Sequence, residues 1–389
     1  MNEGLKTFVI RDREEFFNLQ EEWNSLLEVS ENDNIFLRWE WLYNWWLVYG
    51  KGLNELFIIT VREKDTLLGI APLHITRRVK GFIREIKFIG SNIVASEYLD
   101  FILRKERKED TLGEIISFLK KNSDLWDLMN FADIPSQSKS VEIIGSFFFE
   151  NGIRIASNYN TCYYIDLKNG WESVYDCFAP ELKNTIKRKT RKLLKFGDTD
   201  FYEVRIEDNL KDYFEKFLGL NELRMEMKGI RSPFLDRDFQ KFHWLILKTL
   251  YPKGMARLFF LKIGDNYVAS LYILYYKKKY LFYQSGFDPA WKWLSPGTLL
   301  FEHVVRQAHD EVSSEFDLLR GDEMYKSLWT KDKRTNILIT IYNQSAKGWL
   351  LRKIEVTRNY LRKPKASMRR YVKRIDRRNM KSARADHLM

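Results

Sequence analysis

Apolar residues recur along the chain with two spacings, and together they predict a protein of mixed helices and strands. A spacing of three to four residues predicts helices, and short alternating or continuous apolar runs predict strands. In the first 170 residues the predicted helices are 14–27, 37–48, 111–122 and 141–151. The predicted strands there are 5–10, 56–62, 67–77, 87–90, 98–104, 125–133 and 154–167.

A second block with the same order of patterns follows a helical bridge at 171–196, whose long basic part is expected to start at Pro180. Its predicted helices are 211–227, 236–250 and 297–311. Its predicted strands are 201–206, 255–263, 267–276, 279–284, 315–319 and 336–342. In both blocks the predicted order of elements is helices, a hairpin, a helix and then strands. We therefore expect a structural duplication.

These patterns predict an α/β (α+β) fold made of two mixed-sheet units in tandem. The expected organisation is a first unit at 1–170, a bridge at 171–200, a second unit at 201–345 and a basic helical tail at 346–389. A length of 389 residues fits two or three domains, each able to bury its own core.

Charge is distributed unevenly and marks the tail as a separate feature. The formal net charge is +12, and residues 350–389 hold fourteen Lys and Arg against three acids, so the tail carries nearly all of it. A nearly neutral body argues against a nucleic-acid-binding core. The tail is expected to touch an anionic partner, either a membrane surface, an RNA such as tRNA, or an acidic protein.

The remaining composition points to a protein of the cytoplasm. Cys162 and Cys177 make neither a disulfide framework nor a metal knuckle, as is usual in a reducing compartment. We find no secretory signal and no apolar run long enough to span a bilayer, and the tail leaves a peripheral position at the inner membrane face open. The five histidines show no metal-ligand spacing, so no metal is expected.

The segment 280–329 carries the strongest indication of a ligand site. An aromatic strand runs into a polar loop, and Ser295, Pro296, Gly297 and Thr298 then open an apolar helix. Ser favours the N-cap, Pro the first turn, and Gly a close approach of backbone to ligand. Such a helix start holds anions, so Ser295, Gly297 and Thr298 are predicted to bind a pyrophosphate. The next strand ends in a polar cluster, which suits a site at strand ends.

Several segments, in their order and spacing, resemble the GNAT acetyltransferase superfamily. They are F-L-R-W-E-W-L-Y-N-W-W at 36–46, L-L-G-I-A-P-L-H at 67–74, F-I-G-S and E-Y-L-D-F between 88 and 101, L-K-N-T-I-K-R-K-T-R-K-L-L-K at 182–195, Q-S-G-F-D-P at 284–289, L-S-P-G-T at 294–298, and F-D-L-L-R-G-D-E-M-Y-K-S-L-W at 316–329. The resemblance is to the long bacterial branch of cellulose-biosynthesis-type acetyltransferases. It extends more distantly to Fem-type aminoacyltransferases, which carry two GNAT-like units.

This resemblance implies transfer of an acyl group to an amine, with acyl-CoA (acetyl-CoA) or aminoacyl-tRNA as the donor. The glycine-rich R/Q-x-x-G-x-G/A loop of many GNAT enzymes is absent, and 295–298 occupies its strand-to-helix position. Amine acylation needs a deprotonated amine, a polarised carbonyl and a protonated leaving group. Asp317, Glu323 and Tyr325 are the catalytic candidates and Lys326 a substrate-binding one, although Asp317 capping a loop and Lys326 on the surface remain alternatives.

Further candidates for substrate binding lie on three segments, each with a structural alternative. Gln284 and Asp288 flank a strand end, where Asp288 also suits an ordinary turn. Lys187 and Arg191 share one face of the basic helix and suit a phosphate, although a solvated helix face is equally in keeping with the pattern. The last pair, Tyr98 and Asp100, is predicted on a strand lining the cleft between units, or else in the core.

Three functions remain open at this stage. The first is an N-acyltransferase that uses acyl-CoA and acts on an amino sugar or a cell-envelope or exopolysaccharide precursor. The second keeps the fold and takes aminoacyl-tRNA as donor, with the basic helix and tail holding RNA. The third is a non-catalytic GNAT-fold binding module, which the absent glycine-rich loop favours. The oligomeric state is not indicated by the sequence.

Overall fold

The computed structural model describes the backbone of residues 4–91, 93–150 and 155–357, and the side chains of these residues except 149, 150 and 155–158. The fifteen strands are β1 (Leu5–Ile10), β2 (Asn54–Leu56), β3 (Ile58–Glu63), β4 (Thr66–Ala71), β5 (Leu73–Arg78), β6 (Ile83–Phe88), β7 (Ile102–Leu103), β8 (Leu128–Pro135), β9 (Ile155–Asp166), β10 (Thr199–Glu203), β11 (Ala256–Ile263), β12 (Asn266–Tyr276), β13 (Lys279–Phe287), β14 (Glu315–Arg320) and β15 (Lys333–Tyr342). They confirm the predicted mixed fold.

Helices cover the sheets on both faces. They are α1 (Arg13–Asn18), α2 (Gln20–Glu28), α3 (Trp39–Tyr49), α4 (Lys108–Lys121), α5 (Lys139–Glu150), α6 (Trp171–Asp176), α7 (Pro180–Leu193), α8 (Leu210–Met227), α9 (Arg237–Leu250), α10 (Pro296–Asp310) and α11 (Lys326–Trp329), followed by a helix at 346–357 that we call the C-terminal helix. None of the described helices has the length and apolar character that crossing a membrane requires.

One eleven-stranded sheet runs through both predicted units. Its strand order is β10-β11-β12-β13-β14-β9-β15-β8-β6-β5-β2, and a four-stranded sheet, β1-β3-β4-β7, lies beside it. Two parallel pairs occur, β6 with β8 and β13 with β14, and each pair is joined by a crossing helix, α4 or α10. The sheet therefore contains the same β-α-β arrangement twice, as the duplicated pattern predicts.

The two arrangements exchange their last strands. β9 follows β8 and α5 in the chain, yet it pairs with β14 and β15 of the second half. β15, which ends the second half, pairs with β8 of the first half. The sheet order is therefore symmetric about β9 and β15. The predicted boundaries at 170, 200 and 345 are not tested by this pairing and stay a prediction about chain organisation.

Alternation along the strands sends side chains into two cores on opposite faces of the sheet. On β13, Tyr280 and Phe282 pack in the core beneath α7 and α10, whereas Leu281 and Tyr283 pack in the core beneath α3 and α9. The tryptophans of α3 belong to the second of these cores: Trp41 is fully buried and its indole N–H donates to Ser96 Oγ at 2.9 Å.

The strand predicted at 98–104 is wrong for most of its length. The described residues of 89–101, which exclude 92, form an irregular connection, and of the predicted strand Ile102–Leu103 pairs as β7. The backbone of Tyr98 has a positive φ of 55°, which is outside the extended conformation of a regular strand. The predicted basic segment after 346 is helical as far as 357, and its remainder lies outside the described residues.

Candidate functional site

The two parallel strands of the second half separate and leave an opening in the sheet. β13 and β14 pair only from Lys279 with Glu315 to Leu281 with Asp317. Beyond that point β13 continues along β12 as far as Phe287, and β14 continues along β9. One edge of β13, from 282 to 287, therefore has no ladder partner. Apart from Ser285 O, which accepts a hydrogen bond from Asn221 Nδ2, the backbone groups along this edge can be paired by a bound ligand.

A cleft of about 300 Å³ occupies this opening. Its walls come from β13, α7, α8, α10 and α11 and are mostly apolar and aromatic, with a few polar groups. The lining residues are Leu182, Arg224, Leu271, Phe282, Ser285, Gly286, Phe287, Lys292, Ser295, Pro296, Gly297, Thr298, Phe301, Tyr325, Leu328 and Trp329. An apolar cleft with few convergent polar groups is the usual form of a small-molecule site.

The start of α10 lies in the wall of this cleft, as predicted. Ser295 holds the N-cap position, but with a left-handed φ of 58° and without a hydrogen bond from its side chain to the helix, so its expected capping role is wrong. Among the described residues, the Gly297 N–H has no hydrogen-bond partner. A Cβ built on Gly297 would meet only Phe287, at 3.8 Å. The glycine thus keeps the helix start open towards the cleft, where an anion is favoured.

Arg224 is a polar group of the cleft that the sequence did not reveal. It reaches the cleft from α8, which lies close to β13. The closeness requires a glycine at 286, since a Cβ built there would lie 2.4 Å from the Asn221 backbone nitrogen. Asn221 Nδ2 donates to Ser285 O at 2.8 Å and fixes this contact. A glycine inside a strand often marks the close approach of another backbone. In the sequence, Gly286 was therefore the residue that indicated this contact.

The guanidinium of Arg224 is half-buried without an acidic partner. Its one hydrogen bond, from Nη1 to Ser285 O, is long at 3.5 Å. No described carboxylate lies within ion-pair distance of it. Burial lowers the pKa of Arg224, which remains a cation at neutral pH. A cation removed from water without a counterion is unfavourable, so this arrangement favours an anionic ligand.

Tyr325 lines the cleft just before α11, near enough to Arg224 for their charges to interact. Burial chiefly, and then the charge of Glu323, raises the pKa of Tyr325 well above its usual value. The phenol therefore stays protonated at neutral pH. Of the three predicted catalytic residues, it is the one that borders the cleft, and it suits the donation of a proton to a leaving group.

Lys326 and Glu323 lie beside the cleft rather than in its wall. Lys326 is buried, and its ammonium donates to the carbonyl oxygens of Leu319 at 3.2 Å and Arg320 at 2.5 Å. It also pairs with Glu323 at 3.1 Å. Leu319 has a positive φ of 57°, which ends the regular ladder and leaves these carbonyls for a side chain to bind. Lys326 is thus not on the surface, which was the alternative to its predicted role in substrate binding. It does not line the cleft either.

Asp317 does not face the cleft, and the expectation that it shares one opening with Ser295 is wrong. Its neighbours on β14, Phe316 and Leu318, pack under α10, so alternation turns Asp317 to the opposite face. There it lines a separate cavity of about 250 Å³. It accepts hydrogen bonds from Tyr98 Oη at 2.6 Å and from Leu319 N at 2.7 Å, and burial raises its pKa.

Tyr98 and Asp100 both hold the irregular connection 89–101 in place. Tyr98 is the partner of Asp317, and Asp100 accepts hydrogen bonds from Ser138 Oγ at 2.5 Å and Phe101 N at 2.8 Å. Asp100 is buried, and burial raises its pKa. Tyr98 also lines the cavity of Asp317, and Asp100 lines a neighbouring cavity, so these contacts give the pair a structural role and its part in substrate binding stays a prediction.

The other predicted substrate-binding residues are dispersed. Gln284 accepts a long hydrogen bond of 3.5 Å from Asn221, and Asp288 caps the short turn that follows by accepting from Ala290 N at 2.9 Å. Lys187 and Arg191 do share a face of α7, where they border a shallow depression with Arg306. None of these four lines the cleft.

A buried polar network crosses the junction of the two halves and was not predicted. Arg320 pairs with Glu97 at 3.1 Å and with Asp133 at 2.9 Å, and Asn336 donates to Glu97 at 3.0 Å. Burial, more than any neighbouring charge, raises the pKa of Glu97 well above its usual value. These residues come from β14, β8, β15 and the 89–101 connection, so the network holds the exchanged strands together.

No group of three or more His, Cys, Asp or Glu side chains in the described part of the chain has a metal-binding arrangement. Cys162 is buried and Cys177 is exposed, and both are free thiols.

Comparison with known proteins agrees with the fold. Residues 181–327, which include α7, α8, β13, α10 and β14, match the sequence profile described as acetyltransferase (GNAT) domain. Of the curated proteins, none matches the chain significantly.

Among solved structures, FemX superposes with a TM-score of 0.61 at 10% identity, over 87% of this chain and 98% of FemX. L-PGS from Bacillus licheniformis superposes with a TM-score of 0.51 at 13% identity, over 87% of this chain and 96% of L-PGS. At such identities the likeness concerns the fold alone. Residues 181–327 are therefore similar in sequence to GNAT acetyltransferase domains, and the whole fold is similar to that of FemX.

Proposed function

We propose that the protein is an N-acyltransferase that binds an acyl-CoA donor in the cleft between β13 and β14 and transfers its acyl group to an amine. The observation that carries this proposal is the unpaired edge of β13 facing an open helix start. A pantetheine arm has amide groups that can complete the ladder of β13. A pyrophosphate suits the free N–H of Gly297, with Lys292 at the rim of the same cleft.

In the proposed reaction the amine nitrogen attacks the thioester carbonyl carbon, a C–N bond forms and the C–S bond breaks. Tyr325 donates its phenolic proton to the departing thiolate and takes up a proton from water again, while the amine proton leaves to water. No carboxylate lines the described cleft, so the acceptor has to arrive as the neutral amine. The predicted base roles of Asp317 and Glu323 thus lack a contact with the reaction site, and activity should rise with pH as the acceptor amine loses its proton.

The donor is tested by calorimetry and thermal shift with acetyl-CoA. We expect binding to wild type and about fivefold weaker binding to Gly297→Ala, whose added methyl group enters the space of the anion. Gly113→Ala is the matched control, because Gly113 lies in α4 with no atom within 4 Å of a built Cβ. It should bind acetyl-CoA normally. Equal binding by both variants would remove the assigned role of the α10 start.

Aminoacyl-tRNA remains a second candidate donor because α7 borders the mouth of the cleft. Lys189 donates to the carbonyl oxygen of Trp293, and the Lys192 ammonium lies 5.8 Å from the Trp293 ring centroid, so a basic helix lies where a bulky polyanion would arrive. Filter binding with charged tRNA separates the two donors. Binding of tRNA without binding of acetyl-CoA would favour this second candidate, and binding of neither would favour a non-catalytic module.

For the acceptor we propose an amino sugar or a cell-envelope or exopolysaccharide precursor, on the strength of the family resemblance. A thiol-release assay with acetyl-CoA and a panel of amines tests it. Turnover with amino sugars or aminated glycan precursors is expected, and turnover confined to free amino acids or peptides would contradict this acceptor class while leaving the donor assignment intact.

A further inference from the structure

The C-terminal helix presents an apolar face that the described residues leave uncovered. Four large apolar side chains on it are between 53% and 59% exposed: Trp349, Leu350, Ile354 and Val356. Their helical spacing places them on one side, together with Lys353, whose ammonium lies 3.8 Å from the centroid of the Trp349 ring. Exposed apolar residues scattered singly are ordinary, whereas a contiguous face indicates an interaction site.

The opposite side of this helix is fixed to the body of the protein, so the exposed face has a defined orientation. Lys347 pairs with Asp127 at 3.1 Å, and Glu355 accepts a hydrogen bond from Tyr342. Gly348 packs so closely that a built Cβ would lie 2.2 Å from the carbonyl oxygen of Asn343. The helix is therefore docked through its polar side and its glycine, and it turns its apolar side away from the core.

A hairpin tip beside the helix extends the same kind of surface. Between β5 and β6, Val79 is 66% exposed and Phe82 is 68% exposed, with Lys80 between them. The Lys347 ammonium lies 4.2 Å from the centroid of the Phe82 ring, which places the tip next to the start of the helix. Apolar side chains and bases are thus interspersed across two elements.

The charge that accompanies this face is strongly positive. In the sequence, residues 350–389 hold fourteen Lys and Arg and three acids. Of the acids, Glu355 is on the docked side of the helix, bound to Tyr342. A helix with Trp, Leu and Ile on one face and many bases around it is the type that lies in the interface of an anionic bilayer. Each base near such a surface adds to the attraction.

We propose that the exposed face of the C-terminal helix docks on the surface of a negatively charged lipid bilayer. The helix lies in the plane of the membrane, its apolar side chains enter the headgroup region, and its bases Arg352 and Lys353 contact lipid phosphates. This proposal is independent of the proposed function.

Two other occupants fit the observations less well. RNA would use the bases, but exposed Leu350, Ile354 and Val356 offer nothing to phosphates or to nucleobase edges. A second copy of the chain would bring two strongly basic segments together, and like charges oppose that association.

Vesicle co-sedimentation of the full chain tests the proposal, with phosphatidylcholine vesicles that do or do not contain phosphatidylglycerol. Wild type should bind only the anionic vesicles, and less at high salt. Leu350→Glu and Ile354→Glu should each weaken binding about tenfold or more, since each removes an apolar anchor and adds a repelled charge. The matched control is Leu235→Glu, because Leu235 is 46% exposed and lies in the turn before α9, on a different element from the helix and the hairpin tip. It should bind vesicles as wild type does.

Three results would overturn the proposal. One is wild-type protein that fails to bind anionic vesicles. Another is unchanged vesicle binding by Leu350→Glu that melts at the wild-type temperature. The third is a wild-type dimer in sedimentation velocity that Leu350→Glu converts to a monomer, because the face would then be an interface between copies. Binding of RNA that Leu350→Glu abolishes, without vesicle binding, would assign the face to RNA instead.

Discussion

The two β-α-β arrangements of this protein open in the same way, but aromatic rings fill the opening of the first and an apolar cleft occupies that of the second. A smaller cavity of about 190 Å³ borders one of those rings, Phe101. In the first half, β6 and β8 pair from Glu85 with Leu128 to Lys87 with Asn130. Where they separate, three buried rings fill the gap. These rings are Phe88, Phe101 and Phe131, and their centroids lie 5.1–5.4 Å apart. In the second half, the corresponding space remains a cleft of about 300 Å³.

The helices that join the two parallel strand pairs, α4 and α10, also differ in the charge at their first turns. α4 begins with Glu109 and Asp110 in its first turn, whereas the first turn of α10 has no acid. Carboxylates at a helix start occupy the position that an anionic ligand would need. The comparison shows that the same β-α-β arrangement is filled by side chains in one half and open in the other. A few side chains and the segment that carries Phe101 account for the difference.

The largest expected effect concerns the filled half. Phe131→Ala should lower the free energy of unfolding by about 3–5 kcal/mol, because it empties the centre of the aromatic cluster. Phe282→Ala, which borders the open cleft, should cost clearly less, since water can enter the space it leaves. Urea denaturation measures both. Equal losses in the two variants would contradict the contrast between a filled and an open half.

The next effect concerns proton donation in the open half. Tyr325→Phe should lower kcat about 100-fold, with little change in the KM for the donor, because the phenol acts on the leaving group. Its control is Tyr275→Phe, another half-buried tyrosine of the same half. Steady-state kinetics with acetyl-CoA measure both variants. A wild-type kcat in Tyr325→Phe would contradict the role of Tyr325 and would mean that water protonates the thiolate.

A smaller effect is expected for the unpaired cation of the open half. Arg224→Met should weaken donor binding by about tenfold, the size of one charge-assisted hydrogen bond. It should not lower the free energy of unfolding, because the half-buried cation has no acidic partner to lose. Calorimetry and urea denaturation test the two parts, and the exposed Arg231→Met serves as control. A destabilised Arg224→Met with normal binding would make Arg224 a structural residue.

The smallest expected effect is a loss of stability at low pH, to which both halves should contribute equally. Each half has a fully buried histidine, His74 or His243, and burial lowers the pKa of each to about 3. The unfolded chain takes up these protons from about pH 6.5 downwards and the folded chain does not, so stability falls as pH falls below that value.

At about pH 5.5 the loss should be about 1 kcal/mol per histidine. Urea denaturation across pH measures it, and His243→Gln, which can keep the contact with Tyr283, should remove its share. An unchanged pH slope in His243→Gln would show that His243 is not the group responsible.

Most of the elements could be predicted because their signals are local. The periodic runs located α8, α9, α10 and β11 to β13 closely, and the opening of α10 at Pro296 followed from turn chemistry. The 98–104 segment failed because its aliphatic and aromatic residues resemble a strand, whereas Tyr98 and Asp100 bind partners from other parts of the chain.

The site was only partly predictable, because its geometry depends on contacts between distant residues. Local patterns identified Ser295, Gly297, Thr298 and Tyr325, which all line the cleft. Asp317 was misplaced because a one-residue step on a strand changes the face. Arg224 carries no local signal, since its position depends on the contact of α8 with Gly286.

The exchange of β9 and β15 has a consequence for how this family can diverge. A recombination event that replaced only the second half would pair an imported β15 with an unmatched β8 and an imported β14 with an unmatched β9. The halves are thus inherited as one unit, and new specificities are expected to arise through point changes around the cleft rather than through shuffling of modules.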